Sequence, residues 1–136
     1  MKHLFVYGSL MFDEVWSRLV TRQYQRRPAT LRGYKRLKIK HQVYPGIVKS
    51  PGNQVNGMLV LNLCQADIRR LDKFEGRYYR RKTQTVSVNA HKHYRAQVYV
   101  IKPRYRKLLS TDNWQADEFR NHDIQLFLSR YKNFNR

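Results

Sequence analysis

The sequence predicts an α+β domain built on a largely antiparallel, curled sheet. Stretches of strand length, alternating or continuously apolar, recur along the chain, most of them joined by hairpin-length polar turns. Helical periodicity interrupts them at only two internal points and returns near the end. The 136 residues, 41% hydrophobic and 13% aromatic, are enough for one core and match the size of a single domain spanning 1–136. There is no internal repeat, low-complexity tract or linker to divide it.

In order, Lys2 to Tyr7 reads as a short buried strand ending at Gly8. Asp13 is placed to cap a helix through about Arg22, with Val15, Trp16, Leu19 and Val20 as its apolar stripe, and Pro28 ends that region. Thr30 to Lys40 looks extended, Leu37 and Ile39 alternating with Arg36, Lys38 and Lys40. Gln42 to Lys49 is a further strand, with a bulge or edge expected at Pro45-Gly46. Ser50-Pro51-Gly52-Asn53 is a turn signal, after which Val55 to Leu61 returns as a strand. Gln65 to Phe74 reads as a helix, with Ile68, Leu71 and Phe74 in register and Gly76 to end it. Tyr79 to Val88 and Arg95 to Ile101 pair around a polar turn at Asn89 to Tyr94. A loop rich in Pro103, Arg104 and Arg106 runs through Trp114, and a last helix spans about Ala116 to Tyr131.

Charge is the unusual quantity: 28 Lys and Arg against 9 Asp and Glu, a formal net charge of +19. Such a field concentrates anions and favours salt-dependent, non-specific contact with nucleic acid or acidic lipid. The basic residues are scattered in short groups, such as Arg26-Arg27, Arg80-Arg81-Lys82 and Arg104 to Lys107. They form no zinc-finger spacing, ribonucleoprotein motif or long basic helix, so a generally basic surface is the simpler reading. No apolar run approaches the ~18 residues of a membrane span, and no signal peptide is visible. The single cysteine, Cys64, excludes an internal disulfide framework and fits the cytoplasm; its place before a helix suits a small space filler better than a nucleophile.

Two features carry possible chemistry. Glu75 continues the apolar face of Ile68 and Leu71 at i, i+3 and i+7. There a carboxyl is directed inward, and both burial and the negative end of the helix raise its pKa, which suits proton transfer near neutral pH. Position alone equally allows Glu75, beside Gly76, to leave the helix for water or to pair with Arg77 or Arg81. The second feature is Tyr7-Gly8-Ser9-Leu10, directly after the first strand. Glycine there permits close approach to the backbone, and successive amides in such a turn can hold a carboxylate or a developing oxyanion. An ordinary tight turn has the same sequence. No Gly-Lys-Ser/Thr follows, so it is not a phosphate-binding loop.

Taken together, the chain resembles the γ-glutamylcyclotransferase-like superfamily, in particular the short branch containing the plant avirulence-induced proteins. The matching segments are Phe5 to Leu10, Val43-Tyr44-Pro45-Gly46, Val55-Asn56-Gly57, Leu71-Asp72-Lys73-Phe74-Glu75-Gly76 with Tyr79 and Arg81, and Trp114 before the last helix. The resemblance implies a small mixed, largely antiparallel β-barrel with flanking helices and a cavity at one opening. It also implies Glu75 as the catalytic acid/base, with Tyr7, Gly8, Ser9 and Leu10 supplying amides to a γ-glutamyl substrate and Tyr79 lining the site. Arg81 is either a site residue or the structural partner of an acid elsewhere. The reaction implied is intramolecular acyl transfer to 5-oxoproline, which needs no metal or organic cofactor. Arg77, Arg80 and Lys82 around the expected site depart from the family pattern. The alternative is a non-catalytic member of the fold that binds an anionic partner such as RNA.

Other candidates are weaker. His91 and His93 flank Lys92 in an expected turn without a further ligand at metal spacing. His122-Asp123 is expected on a helix surface. Trp16 and Trp114 suit the core or cavity wall, and Ser9 lacks a nucleophile-elbow pattern.

Overall fold

A computed structural model describes residues 2–130. Six strands form one mixed, mostly antiparallel sheet: β1 (Lys2–Val6), β2 (Arg26–Ile39), β3 (Pro45–Leu63), β4 (Tyr79–Asn89), β5 (Lys92–Ile101) and β6 (Leu109–Asn113). Their order is β3-β1-β5-β4-β2-β6, and β2 also pairs with β3, so the run of pairings returns to its starting strand. One pair is parallel, with Leu4 beside Gln97 and Phe5 beside Val98. Among the described residues four α-helical segments accompany the sheet, α1 (Asp13–Trp16), α2 (Gln65–Glu75), α3 (Ala116–Glu118) and α4 (Ile124–Arg130), with a π-helical turn at Phe119–Asp123 between the last two and 3₁₀ turns at Ser9–Met11 and Pro103–Leu108. Tyr131, the expected end of the last helix, lies outside the described residues.

β1 explains why its sequence is continuously apolar. Side chains alternate across a strand, and here both faces are covered. Leu4 and Val6 join a core of Ile68, Leu71, Trp114, Phe119 and Phe127 under the helices. Phe5, with Tyr7, joins Leu31, Ile47, Leu59, Val86 and Val98 in a second core enclosed by strands.

Several expectations are corrected. The helix from Asp13 ends at Trp16 and continues as turns, with Arg18 bonded to Val15 and Leu19 to Trp16 at three-residue spacing. Its apolar stripe is buried as expected at Val15, Trp16 and Leu19. The chain is instead drawn aside by Asp67, whose carboxylate accepts the Thr21 amide at 3.1 Å and the Thr21 hydroxyl at 2.9 Å. Asp13 is also the first helical residue rather than the cap, a place Phe12 takes without a side-chain bond.

Ser50 to Asn53 does not separate two strands. It bulges from the single strand β3, because Tyr34 pairs with Lys49 while Arg32 pairs with Gln54. Gly33 alone therefore faces the whole of Ser50 to Asn53, an excursion eased by the positive φ of Gly33 (85°) and Gly52 (86°). Pro28 lies within β2, opposite Met58, before β4 joins at Thr30. Finally, part of the expected loop before Trp114 is β6, paired through Leu37–Asn113 and Ile39–Leu109, and β5 begins at Lys92, which tightens the β4–β5 turn.

Candidate active site

α2 is placed by its buried face: Ile68 and Leu71 are fully buried, and Gly76, at φ 77°, ends it with its amide on the Asp72 carbonyl. Glu75, the last residue, is thereby turned toward a cavity rather than into water. The cavity holds about 580 Å³ of empty space, part of it open to solvent, and Tyr7, Gly8, Ser9, Leu10, Glu75 and Tyr79 all line it. Its other walls are mostly aromatic: Tyr44, Phe74, Tyr78, Tyr99 and Phe127.

Burial first, and the nearby negative charge of Asp72 second, raise the Glu75 carboxyl to a pKa of about 8. No hydrogen bond to this carboxyl forms among the described residues, whereas Asp72, one turn earlier, is fully engaged. Asp72 accepts Arg81 Nε at 3.0 Å and Nη2 at 3.2 Å, and the Tyr99 hydroxyl at 2.7 Å. Arg81 also donates to Gln97 at 2.8 Å. It is absent from the cavity wall and serves as the structural partner of Asp72.

The loop is held by its carbonyls. Arg36 donates to Tyr7 O at 2.8 Å, and Arg26 to Met11 O at 3.1 Å and Leu10 O at 3.4 Å. Each guanidinium also lies against an indole, Arg36 at 5.0 Å from Trp114 and Arg26 at 4.6 Å from Trp16. Ser9–Met11 forms a single 3₁₀ turn in which Met11 N–H bonds Gly8 O and Phe12 N–H bonds Ser9 O. The Ser9 and Leu10 amides precede the first of these donors and have no acceptor within the turn. A Cβ on Gly8 would stand 2.8 Å from Pro45 Cγ, so the loop needs glycine for packing. Pro45 is itself fixed, its carbonyl accepting the Tyr79 hydroxyl at 2.7 Å. The Tyr7 hydroxyl donates to Tyr99 O at 2.6 Å. Burial, then the charge of Glu75, raises its pKa against the opposing pull of Arg36, which keeps it a neutral donor.

Sequence reasoning missed Asp72, Tyr99, Arg26 and Arg36 as parts of this site. Asp72 had a usable signal, being three residues before Glu75 on one helix; the arginines had none, since their acceptors are backbone atoms far along the chain. Arg77, Arg80 and Lys82 do not line the cavity. Arg77 is exposed, with its guanidinium 5.3 Å from the Tyr78 ring. Trp16 and Trp114 are core residues. His91, His93 and His122 are exposed, and no group of three potential metal ligands occurs among the described residues. Cys64 is a free thiol at the start of α2, accepting the Tyr24 hydroxyl at 3.3 Å. No described helix is long and apolar enough to cross a membrane.

The fold that carries this cavity is a mixed, mostly antiparallel sheet with helices, and comparison with known proteins gives its family. The family described as gamma-glutamyl cyclotransferase, AIG2-like, matches residues 4–116, and the chain belongs to it. It is similar to AIG2-like protein C of Arabidopsis thaliana, with 33% identity over 96% of this chain and 76% of the relative. AIG2-like protein D of the same plant is 31% identical over 98% and 89%. An Arabidopsis thaliana solution structure superposes with a TM-score of 0.71 at 29% identity, covering 96% of this chain and 79% of that one. A structure named gamma-glutamyl cyclotransferase shares the fold, with a TM-score of 0.61 at 21% identity over 79% and 75%.

Proposed function

We propose that this chain is a γ-glutamylcyclotransferase, converting a γ-glutamyl amine or peptide to 5-oxoproline and free amine. The observation that carries the reading is a carboxyl with raised pKa, Glu75, sharing one cavity with the Tyr7-Gly8-Ser9-Leu10 turn and the amides that turn leaves unused. Family membership supports the same chemistry. A pure binding module would gain nothing from burying that acid, so the alternative of a non-catalytic fold leaves it unexplained.

The substrate's α-amine folds back onto its own γ-carbonyl, and tethering both in one molecule is worth an effective concentration of about 10⁵–10⁸ M. Ionised Glu75 takes a proton from the α-ammonium, and the freed nitrogen attacks the γ-carbonyl carbon. The oxyanion, or the α-carboxylate, is held by the loop amides. The C–N bond to the leaving amine then breaks as Glu75 returns its proton to that nitrogen. Over the cycle the α-nitrogen sheds two protons and the leaving nitrogen gains two, so Glu75 ends as it began. We read the closed run of strand pairings as a small β-barrel with this cavity at one opening, and the lone free thiol as fitting the cytoplasm.

The test is release of 5-oxoproline from a panel of γ-glutamyl peptides and amines by the wild type and by Glu75→Gln. Turnover of at least one substrate, reduced by about 10²-fold or more in the variant, is expected. No turnover on any substrate, or unchanged turnover in the variant, contradicts the reading.

A further inference from the structure

Away from the Glu75 cavity, the surface shared by β2, β3 and the segment around β6 carries a second, shallower concavity with about 720 Å³ of open space. Lys35, Lys49 and Arg106 stand around it, and Leu37, Val48 and Leu109 line it between them. The fold assembles this group from distant sequence. Antiparallel pairing sets Lys35 beside Val48 on one face of the β2–β3 ribbon and Lys49 beside Tyr34 on the other, so the two cations border the recess from either side of the ribbon. The Ile39–Leu109 pairing brings up the chain just after Arg106.

β4 extends the cluster. Arg80 and Lys82 are two positions apart and so project to one side of that strand. Lys82 lies within electrostatic reach of Lys49, Arg80 and Arg106; desolvation first, and then these three charges, lower its pKa. No carboxylate lines the concavity, and none of Lys35, Lys49, Arg80, Lys82 and Arg106 is in an ion pair among the described residues. Three cations elsewhere among the described residues are paired: Lys38 with Glu118 at 3.6 Å, Arg81 with Asp72 at 3.0 Å and Arg120 with Glu14. Folding therefore gathers five like charges without compensation, at a cost in mutual repulsion that a bound anion relieves.

We propose that this concavity is a binding groove for the phosphodiester backbone of single-stranded nucleic acid, gripped by Lys35, Lys49, Arg80, Lys82 and Arg106. Three cations lining an open recess, with Arg80 and Lys82 close beside them, suit a ligand that brings several negative charges along a chain. A lone phosphate would neutralise only part of the cluster. A bilayer is a poor match for a recess, and the large hydrophobic residue exposed among the described residues, Leu126, belongs to α4 rather than to this surface. A duplex is too wide to settle into a recess lined by so few side chains. Ammonium and guanidinium groups on phosphates read no base information, so binding is independent of sequence and steeply dependent on salt.

The net charge of +19 attracts any polyanion, so the test separates the groove from the overall field. Fluorescence anisotropy with a dye-labelled oligothymidylate, measured over a series of KCl concentrations, compares two variants of equal net charge. One carries Lys35→Gln, Lys49→Gln, Lys82→Gln and Arg106→Gln. The other carries Lys2→Gln, Arg22→Gln, Arg69→Gln and Arg70→Gln, all exposed positions outside the groove. The groove variant is expected to bind about tenfold or more weakly, with a salt slope shallower by roughly 2–3, since each single-strand phosphate left without its cation lowers the slope by ~0.7. The control is expected to bind more weakly by about threefold or less. Equal weakening in both variants would assign binding to the general field and overturn the proposal. So would displacement of the oligonucleotide by poly-glutamate at equal charge concentration, which would make the groove a site for acidic peptide. A double variant, Lys49→Gln with Arg106→Gln, gives the same comparison should the quadruple variant fold poorly, with about half the change in slope expected. None of these outcomes depends on Glu75 or on cyclotransferase turnover.

Discussion

Asp72 and Glu75 are carboxylates one helical turn apart, and their surroundings divide their work. Asp72 accepts Arg81 and Tyr99 and so fixes β4 and β5 against α2. Glu75, without a donor among the described residues, meets the cavity and is raised to about 8. A carboxyl whose pKa is higher in the folded chain binds its proton more tightly there than in the unfolded chain. Between about 4.5 and about 8, therefore, stability falls as pH rises, by at most about 1.4 kcal/mol per pH unit. Below that window both states are protonated and Glu75 is least costly to bury; above it the full cost is present. Thermal melts of Glu75→Gln should accordingly gain on the wild type between pH 5 and pH 9. Parallel melting curves across that range would show that Glu75 is an ordinary exposed acid.

At the level of elements, the motif glycines work through packing. Gly8 leaves room for Pro45, and Gly57 lies so close to the Val6 carbonyl and the Phe5 ring that no Cβ fits. Gly8→Ala should push Pro45 and the loop apart, destabilising the fold by about 1–3 kcal/mol and lowering kcat/KM by more than that instability explains. A variant with unaltered melting and turnover would contradict this packing. Much of this was legible in the sequence: β1, α2 with its Gly76 stop, and the β4–β5 hairpin follow from periodicity and turn chemistry. What was not legible depended on partners far along the chain. α1 stops short because Asp67, distant in sequence, holds Thr21. Ser50 to Asn53 keeps its turn chemistry, yet pairing with β2 on both sides makes it a bulge. β6 has little hydrophobic pattern of its own and is a strand because β2 offers an edge.

For the molecule as a whole, the parallel β1–β5 pair and the β2–β4 pairing join strands in ways that no local pattern announces. They bring the loop after β1 beneath the end of α2, with Tyr44 and Pro45 before and within β3 and Phe127 of α4 completing the wall. Ile68 and Leu71 allowed an inward register for Glu75, but position alone allowed a turn to water equally. The loop's partnership with Glu75 was readable only through family resemblance, because their meeting is a property of the whole chain. The raised pKa is likewise a product of the assembled fold, since burial is its leading cause.

That Glu75 is the proton carrier is tested most directly by titrating its side-chain carboxyl, using ¹³C NMR of selectively labelled glutamate assigned with Glu75→Gln. A midpoint near 8 is predicted, falling in Asp72→Asn but staying above 4.5 because burial remains. A wild-type midpoint near 4.5 would mean that the carboxyl stands in water, and would contradict the acid/base role proposed for it.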